Sequence, residues 1–161
     1  MSLKNSILFI LTCFILFSCD KKRVFDQYKS VGNAWNKDTI ATFTFQQKDT
    51  IQPYNLFVNI RNNDAYQFSN LFLIVALEQP SGFTKVDTLE YQMTNPEGTL
   101  LGDGFTDIKE SKLFYKEKMK FPQKGNYKVS IQQAVRQTGK IPGVTALEGV
   151  TEVGFRIELL Q

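Results

Sequence analysis

Apolar and polar side chains alternate with a period of two along most of this chain, and the breaks in the alternation mark its turns. In "AWNKDTIATFTFQQKDT", Ala41, Phe43 and Phe45 stand against Thr42, Thr44 and Gln46, the pattern of a strand with one buried face. Leu56, Val58 and Ile60 oppose Asn55, Asn59 and Arg61, after which Asn62, Asn63 and Asp64 supply turn chemistry. The run Leu71 to Leu77 is apolar at both parities and predicts a central strand, ended by Pro80 to Gly82.

Val86, Leu89 and Tyr91 lead into Asn95-Pro96-Glu97-Gly98, with proline where a type I turn takes it, which predicts a hairpin continuing into "TLLGDG". "KESKLFYKEKMKF" is ambiguous. Leu113, Tyr115 and Met119 share a parity against Lys116, Lys118 and Lys120, yet good helix formers surround them; the extended reading is taken. After a glycine turn, Tyr127, Val129, Ile131 and Val135 alternate with Lys128, Ser130, Gln132 and Arg136, and the Tyr127 hydroxyl is placed to bond backbone at the sheet edge. Val153, Phe155, Ile157 and Leu159 close the chain against Glu152, Gly154, Arg156 and Glu158. Seven or eight short strands without a helix of ordinary length predict an all-β fold, a single antiparallel β-sandwich, immunoglobulin-like or jelly-roll-like.

The first residues follow another pattern. Ile7 to Phe17 is apolar apart from Thr12 and Cys13, with Lys4 before it and Asp20, Lys21, Lys22 and Arg23 behind. That is a secretory n-region and h-region, and it falls short of the roughly 20 apolar residues of a spanning helix. Leu16-Phe17-Ser18-Cys19 resembles the bacterial lipobox, in which the cysteine thiol takes a diacylglyceryl group and becomes the mature first residue. The expected organisation is a lipoprotein signal peptide over 1–18, acylated Cys19 and a tether over 19–33, and the sandwich over 34–161. The competing reading is an uncleaved anchor with Cys19 at its edge. Several acyl chains on one cysteine hold a bilayer firmly, since each buried methylene adds about 0.8 kcal/mol.

Composition narrows the chemistry. Of the two cysteines, Cys13 leaves with the signal peptide and Cys19 is acylated, so the mature domain has neither disulfide nor thiol nucleophile. Histidine is absent, which removes the commonest general base and transition-metal ligand and with it the Ser-His and Cys-His arrangements. Nineteen basic residues nearly balance 16 acidic ones, and no basic stripe suits a nucleic acid. Lys21, Lys22 and Arg23 would lie near the membrane surface, where anionic headgroups attract them. Fourteen Phe, six Tyr and one Trp point to an aromatic core on strands.

The candidate sites each have a plain structural alternative. Asp103 and Asp107 among glycines suit a calcium loop or an ordinary Gly-Asp turn. Glu90, Asp103, Glu148 and Glu152 would need a defined separation across a cleft to cleave a glycoside. Trp35, Tyr54, Tyr66 and Tyr91 would serve a carbohydrate-binding module as an aromatic platform, or else fill the core. Lys116, Lys118 and Lys120 read as the solvated face of an edge strand. Ile141, Val144 and Leu147 lie in the glycine-rich loop "QTGKIPGVTALEG", as partner contacts or folded back onto the core.

Trp35 with Asp38, "YNLFVNIRNNDAYQFSNLFL", "VDTLEYQM" followed by "LLGDGF", "FPQKGNYKVSIQQAVR" and "GVTEVGFRIE" together resemble the gliding motility lipoprotein GldH family along nearly the whole mature chain. The resemblance implies an outer-membrane lipoprotein of the gliding apparatus, linked to type IX secretion, whose partners are the membrane and other envelope proteins. It implies no enzyme, no small-molecule substrate, and no cofactor besides covalent lipid on Cys19. Asp20 is followed by Lys21, Lys22 and Arg23 instead of an acidic surface-export run, so the domain is expected to face the periplasm. A scaffold, a carbohydrate module and a cryptic hydrolase are the competing functions, and exposure of Trp35, Tyr54 and Tyr91 separates the first two.

Overall fold

A computed structural model describes residues 20–104 and 106–160. The strands are β1 (Arg23–Ser30), β2 (Ala34–Asn36), β3 (Ala41–Gln47), β4 (Tyr54–Asn62), β5 (Asn70–Glu78), β6 (Thr84–Gln92), β7 (Lys109–Met119), β8 (Gly125–Gln133), β9 (Ala146–Glu148) and β10 (Val150–Leu159). One four-stranded sheet runs β1-β10-β4-β7, a second runs β3-β8-β5-β6, and β2 pairs with β9 alone. Every ladder is antiparallel. Among the eight long strands, only β5 and β6 are both sequence neighbours and sheet neighbours; every other connection crosses between sheets. That wiring is a jelly roll, which decides between the two sandwich types left open by the alternation. Among the described residues no helix is long and apolar enough to cross a membrane.

Three expectations need correction. The stretch 23–30, read as tether, is β1, paired with β10 from Arg23↔Glu158 to Ser30↔Glu152, so the sandwich begins before residue 34. Its alternation is blurred because β1 is an edge strand with both faces partly in water. The hairpin after β6 keeps its turn, with Gly98 N donating to Asn95 O at 2.9 Å and Asn95 N to Thr99 O at 2.9 Å. Its second arm reduces to an isolated bridge, Thr94↔Leu100. Within β6, Asp87, Leu89 and Tyr91 face inward and Val86 outward. The extended reading of Lys109–Met119 holds, and β7 is an edge strand whose bulged register near Lys118 and whose lysines discourage further pairing.

The alternating apolar positions meet in an aromatic cluster between the sheets. Phe45 of β3 stacks on Tyr127 of β8 at 5.6 Å between centroids, meets Phe121 edge-on at 5.6 Å, and reaches Phe25 and Phe155 of the facing sheet at 5.5 and 5.9 Å. Such pairs add about 0.5–1.5 kcal/mol beyond the area they bury. The fully buried Tyr127 donates its hydroxyl to Gln123 O at 2.9 Å and accepts from Gln123 N at 3.2 Å, the backbone bond anticipated for it. Phe45→Ala is expected to cost about 3–5 kcal/mol, and Tyr127→Phe, which strands two backbone groups, about 1–3 kcal/mol. Urea unfolding at neutral pH measures both; a Phe45→Ala loss under about 1 kcal/mol would show that the cluster is not the centre of the core.

Candidate functional site

The sites anticipated from the sequence are scattered over the sandwich. Cys19 lies outside the described residues. Asp103 and Asp107 are exposed, and Asp103 exchanges backbone hydrogen bonds with Glu110 at 2.9 and 2.8 Å. The neighbouring glycines answer to backbone crowding: a Cβ at Gly102 would lie 2.7 Å from Glu110 O, and one at Gly104 would collide with the Ile108 carbonyl. Among the described residues no group of three or more potential ligands gathers around a cation position. Glu90 and Glu152 stand on the outer faces of opposite sheets and so do not share a cleft; Glu90 accepts from Asn70 and Glu152 holds Arg61.

The partner-contact loop divides. Ile141 is 89% exposed and Val144 half-buried, whereas Leu147 is fully buried on β9 opposite Trp35, so Leu147 is a core residue and not a contact. The aromatic platform does not form. Trp35 is buried with its indole N–H donating to Thr39 O at 2.8 Å, Tyr54 and Tyr66 are buried, and Tyr91 is half-buried with its hydroxyl on Phe114 O at 2.6 Å. Between the segments that follow Tyr66 and flank Tyr91, a cleft of about 790 Å³ is walled mainly by amides and hydroxyls, with Glu90 and Arg136 its charged groups.

The most organised polar surface is the outer face of the β1-β10-β4-β7 sheet, which sequence reasoning left as plain solvated positions. Arg61 of β4 binds Glu110 of β7 and Glu152 of β10, both at 2.7 Å. Arg156 of β10 binds Asp26 of β1 at 2.7 Å, Glu158 at 2.6 Å and also Asp20. Lys112 of β7 reaches Glu158 at 2.7 Å and lies 4.1 Å above the Phe57 ring. Tyr28 crosses the middle: Asn59 Nδ2 donates to its hydroxyl at 2.7 Å, and the hydroxyl donates to Glu110 at 2.9 Å. Its ring lies where a side chain at residue 154 would be, since a Cβ on Gly154 would come within 2.8 Å of it, and the Arg61 guanidinium sits 4.1 Å above. Burial and the Glu110 carboxylate push the Tyr28 hydroxyl up to about 12. The signal for this network was the shared parity of Asn59, Arg61, Glu152, Arg156 and Glu158, but pairing depends on register, which alternation does not reveal.

A second cluster clasps the β6 and β7 edges across the sandwich. The Asp87 carboxylate, inward on β6, accepts from the Tyr115 hydroxyl at 2.9 Å and from Lys116 at 2.8 Å. Burial opposes its charge, yet these donors outweigh it and hold Asp87 below the ordinary aspartate range. Lys116 is thus a partner in the clasp and only partly the solvated lysine expected of it. The charged groups of both clusters are engaged with one another, while Asp26 Oδ1 and Asn59 Oδ1 on the outer face are buried without a hydrogen-bond partner.

A family model described as GldH lipoprotein matches residues 23–157. The chain is 68% identical over 158 residues to the gliding motility lipoprotein GldH of Flavobacterium johnsoniae, with 98% of each chain covered. It is 54% identical over 151 residues to a gliding motility lipoprotein GldH homolog of Christiangramia forsetii, covering 94% of this chain and 93% of that one. Among solved structures, the VP2 subviral particle of infectious bursal disease virus aligns at a TM-score of 0.42 and 10% identity. The alignment covers 88% of this chain but 34% of the viral one, a likeness too slight to bear on function.

Side-chain exposure separates the two arginines. Arg156 is 15% exposed beside Asp26 and Glu158 of similar burial, and Arg61 is 35% exposed. Arg156→Ala is expected to destabilise by roughly 2–4 kcal/mol, because it leaves half-buried carboxylates facing one another, and Arg61→Ala by under about 1 kcal/mol. Urea midpoints rank them, and an equal loss contradicts the assignment. For Glu158, burial raises the pKa but bonds from Lys112 and Arg156 bring it below the ordinary glutamate value. A depressed folded pKa means that the unfolded state binds more protons in acid, so this stability is complete above about pH 5 and lost as pH falls through the folded value. Glu158→Gln should flatten the acid limb of stability against pH; an unchanged slope would show that Glu158 does not carry it.

Proposed function

The chain belongs to the GldH lipoprotein family, and on that premise we propose that it is a lipid-anchored, non-enzymatic component of the gliding motility machinery. It acts by contact with envelope proteins of that machinery and of the linked type IX secretion system. Acylated Cys19 holds it in the outer membrane, with the domain in the periplasm. What carries the reading is position: the body matched to the family begins at Arg23, close behind the cysteine of a lipobox-like segment.

Two further observations support it. The chain has no histidine, and its two cysteines both precede Asp20, so acid-base and thiol chemistry of the usual kinds lack their groups. The arginine and carboxylate groups of the outer face are bonded to each other, as in an interaction surface. Tethering raises local concentration near partners, so modest interfaces suffice. Exposed Ile141 offers one apolar contact on the far loops. Burial of Trp35 and Tyr54 removes the support for a carbohydrate module.

Cells lacking the native gene and carrying Cys19→Ala are expected to lose acyl label from the protein, release it from the membrane fraction and fail to glide, while wild type restores all three. Protease is expected to digest the wild-type domain only after lysis. A wild-type protein without acyl mass, or a purified domain that turns over a substrate, would contradict the proposal.

A further inference from the structure

One end of the jelly roll gathers the beginnings of β1, β4, β6 and β8 and the ends of β3, β5, β7 and β10. Tyr54 lies opposite both Leu159 and Met119, Gln47 lies opposite Gly125, and Gly125 packs on Pro80. This is the end at which the described chain enters. Asp20 is bound to Arg156, and Lys22 O accepts from Leu159 N at 2.9 Å. Only Asp20, Lys21 and Lys22 separate Cys19 from β1. Three residues span about 10 Å at full extension. Given the anchoring proposed above, on which this inference rests, the entry pole has no slack with which to leave the headgroup region.

The chemistry of that pole suits such a position. Lys21, Lys22 and Arg23 on the entering chain, Lys48 in the β3–β4 connection, and Lys120 and Lys124 in the β7–β8 connection are all exposed. Two apolar side chains project among them: Ile51, 79% exposed, and Phe83, 61% exposed. The loop that carries Ile51 is held in shape by Asp49, whose carboxylate accepts from Ile51 N at 2.7 Å and Gln52 N at 3.2 Å. The opposite loops expose Asp64, Glu97, Asp103, Asp107 and Glu148 beside Lys37, Arg136 and Lys140. Asp49 and Glu117 are exposed at the entry pole too, but cations outnumber carboxylates there and not in the opposite loops, so charge is biased along the long axis.

We propose that the entry pole is a membrane-docking surface: its lysines bind anionic phospholipid headgroups while Ile51 and Phe83 insert among them, turning the acidic loops away from the bilayer. Basic residues close to an anionic surface gain from its potential within a Debye length, and apolar side chains at the headgroup boundary add burial. An acidic protein would suit the cations but not the two apolar tips, and the anchor keeps the bilayer constantly in reach.

The test uses full-length acylated protein in vesicles of phosphatidylethanolamine, alone or mixed with phosphatidylglycerol. Fluorophores are placed singly by Thr50→Cys at the entry pole and Glu97→Cys at the far pole, and a headgroup-linked quencher reports proximity. The Thr50 probe is expected to be quenched at least about threefold more than the Glu97 probe in anionic vesicles. Without phosphatidylglycerol, in high salt, or with Lys48→Gln, Lys120→Gln and Lys124→Gln combined, that preference should fall to what the short tether alone imposes. Equal quenching of the two probes, or a preference indifferent to lipid charge and salt, overturns the docking surface. Mass spectrometry and flotation of the same samples separate the two claims: an acylated, floating protein with equal quenching sinks docking alone, and absence of acyl mass sinks anchoring and docking together.

Discussion

Arg156 is the group on which the arrangement of this molecule turns. It projects from β10 between two carboxylates of the entering chain, Asp20 and Asp26, and a third on its own strand, Glu158. Its guanidinium can satisfy several carboxylates at once because its donors form a rigid planar fork. Lysine, a single point charge, could hold Asp26 or Asp20 but would leave the others exposed to mutual repulsion. The consequence reaches beyond β10. The clamp fixes the first described residues, from Asp20, against the last strand, and so helps set the end of the sandwich at which the described chain enters.

The two outer faces differ for related reasons. On the β1-β10-β4-β7 sheet, charges interlock across all four strands, and Tyr28 threads through the place left by Gly154. The β3-β8-β5-β6 sheet presents Thr42, Thr44, Ser130, Phe72 and Ile74, a mostly uncharged surface. Interfaces draw their specificity from fixed charge patterns and their affinity from uncharged, well-packed patches, and this sandwich offers one kind on each side. The clasp of Asp87, Tyr115 and Lys116 holds the sheets together along the β6–β7 edge, and the Phe25–Phe45 contact does so along the β1–β3 edge.

Rigidity and orientation are what the fold contributes. The aromatic cluster around Phe45 spans both sheets, and the Tyr127 hydroxyl ties the β7–β8 connection to its own strand. A body of this kind keeps its loops at a constant distance from whatever holds its entry end. Family membership places it among gliding motility lipoproteins.

Alternation by itself determined the strands at positions 41–47, 54–62, 125–133 and 150–159, because a strand with one face in the core must repeat every second residue, and an unbroken apolar run determined the one at 70–78. The absence of histidine and the confinement of both cysteines to the first 19 positions likewise needed no coordinates to narrow the chemistry. Tertiary structure alone decided the rest. β1 was hidden because an edge strand exposed on both faces carries little periodicity; Leu147 and Trp35 belonged to the core only through the pairing of β2 with β9, more than a hundred residues apart. The choice of jelly roll, the partners of Arg61 and Arg156, and the gathering of lysines at one pole all depend on register and on crossings between sheets. Those are long-range relations, and a pattern with a period of two is local: it says which side chains share a face, never which strand lies beside them.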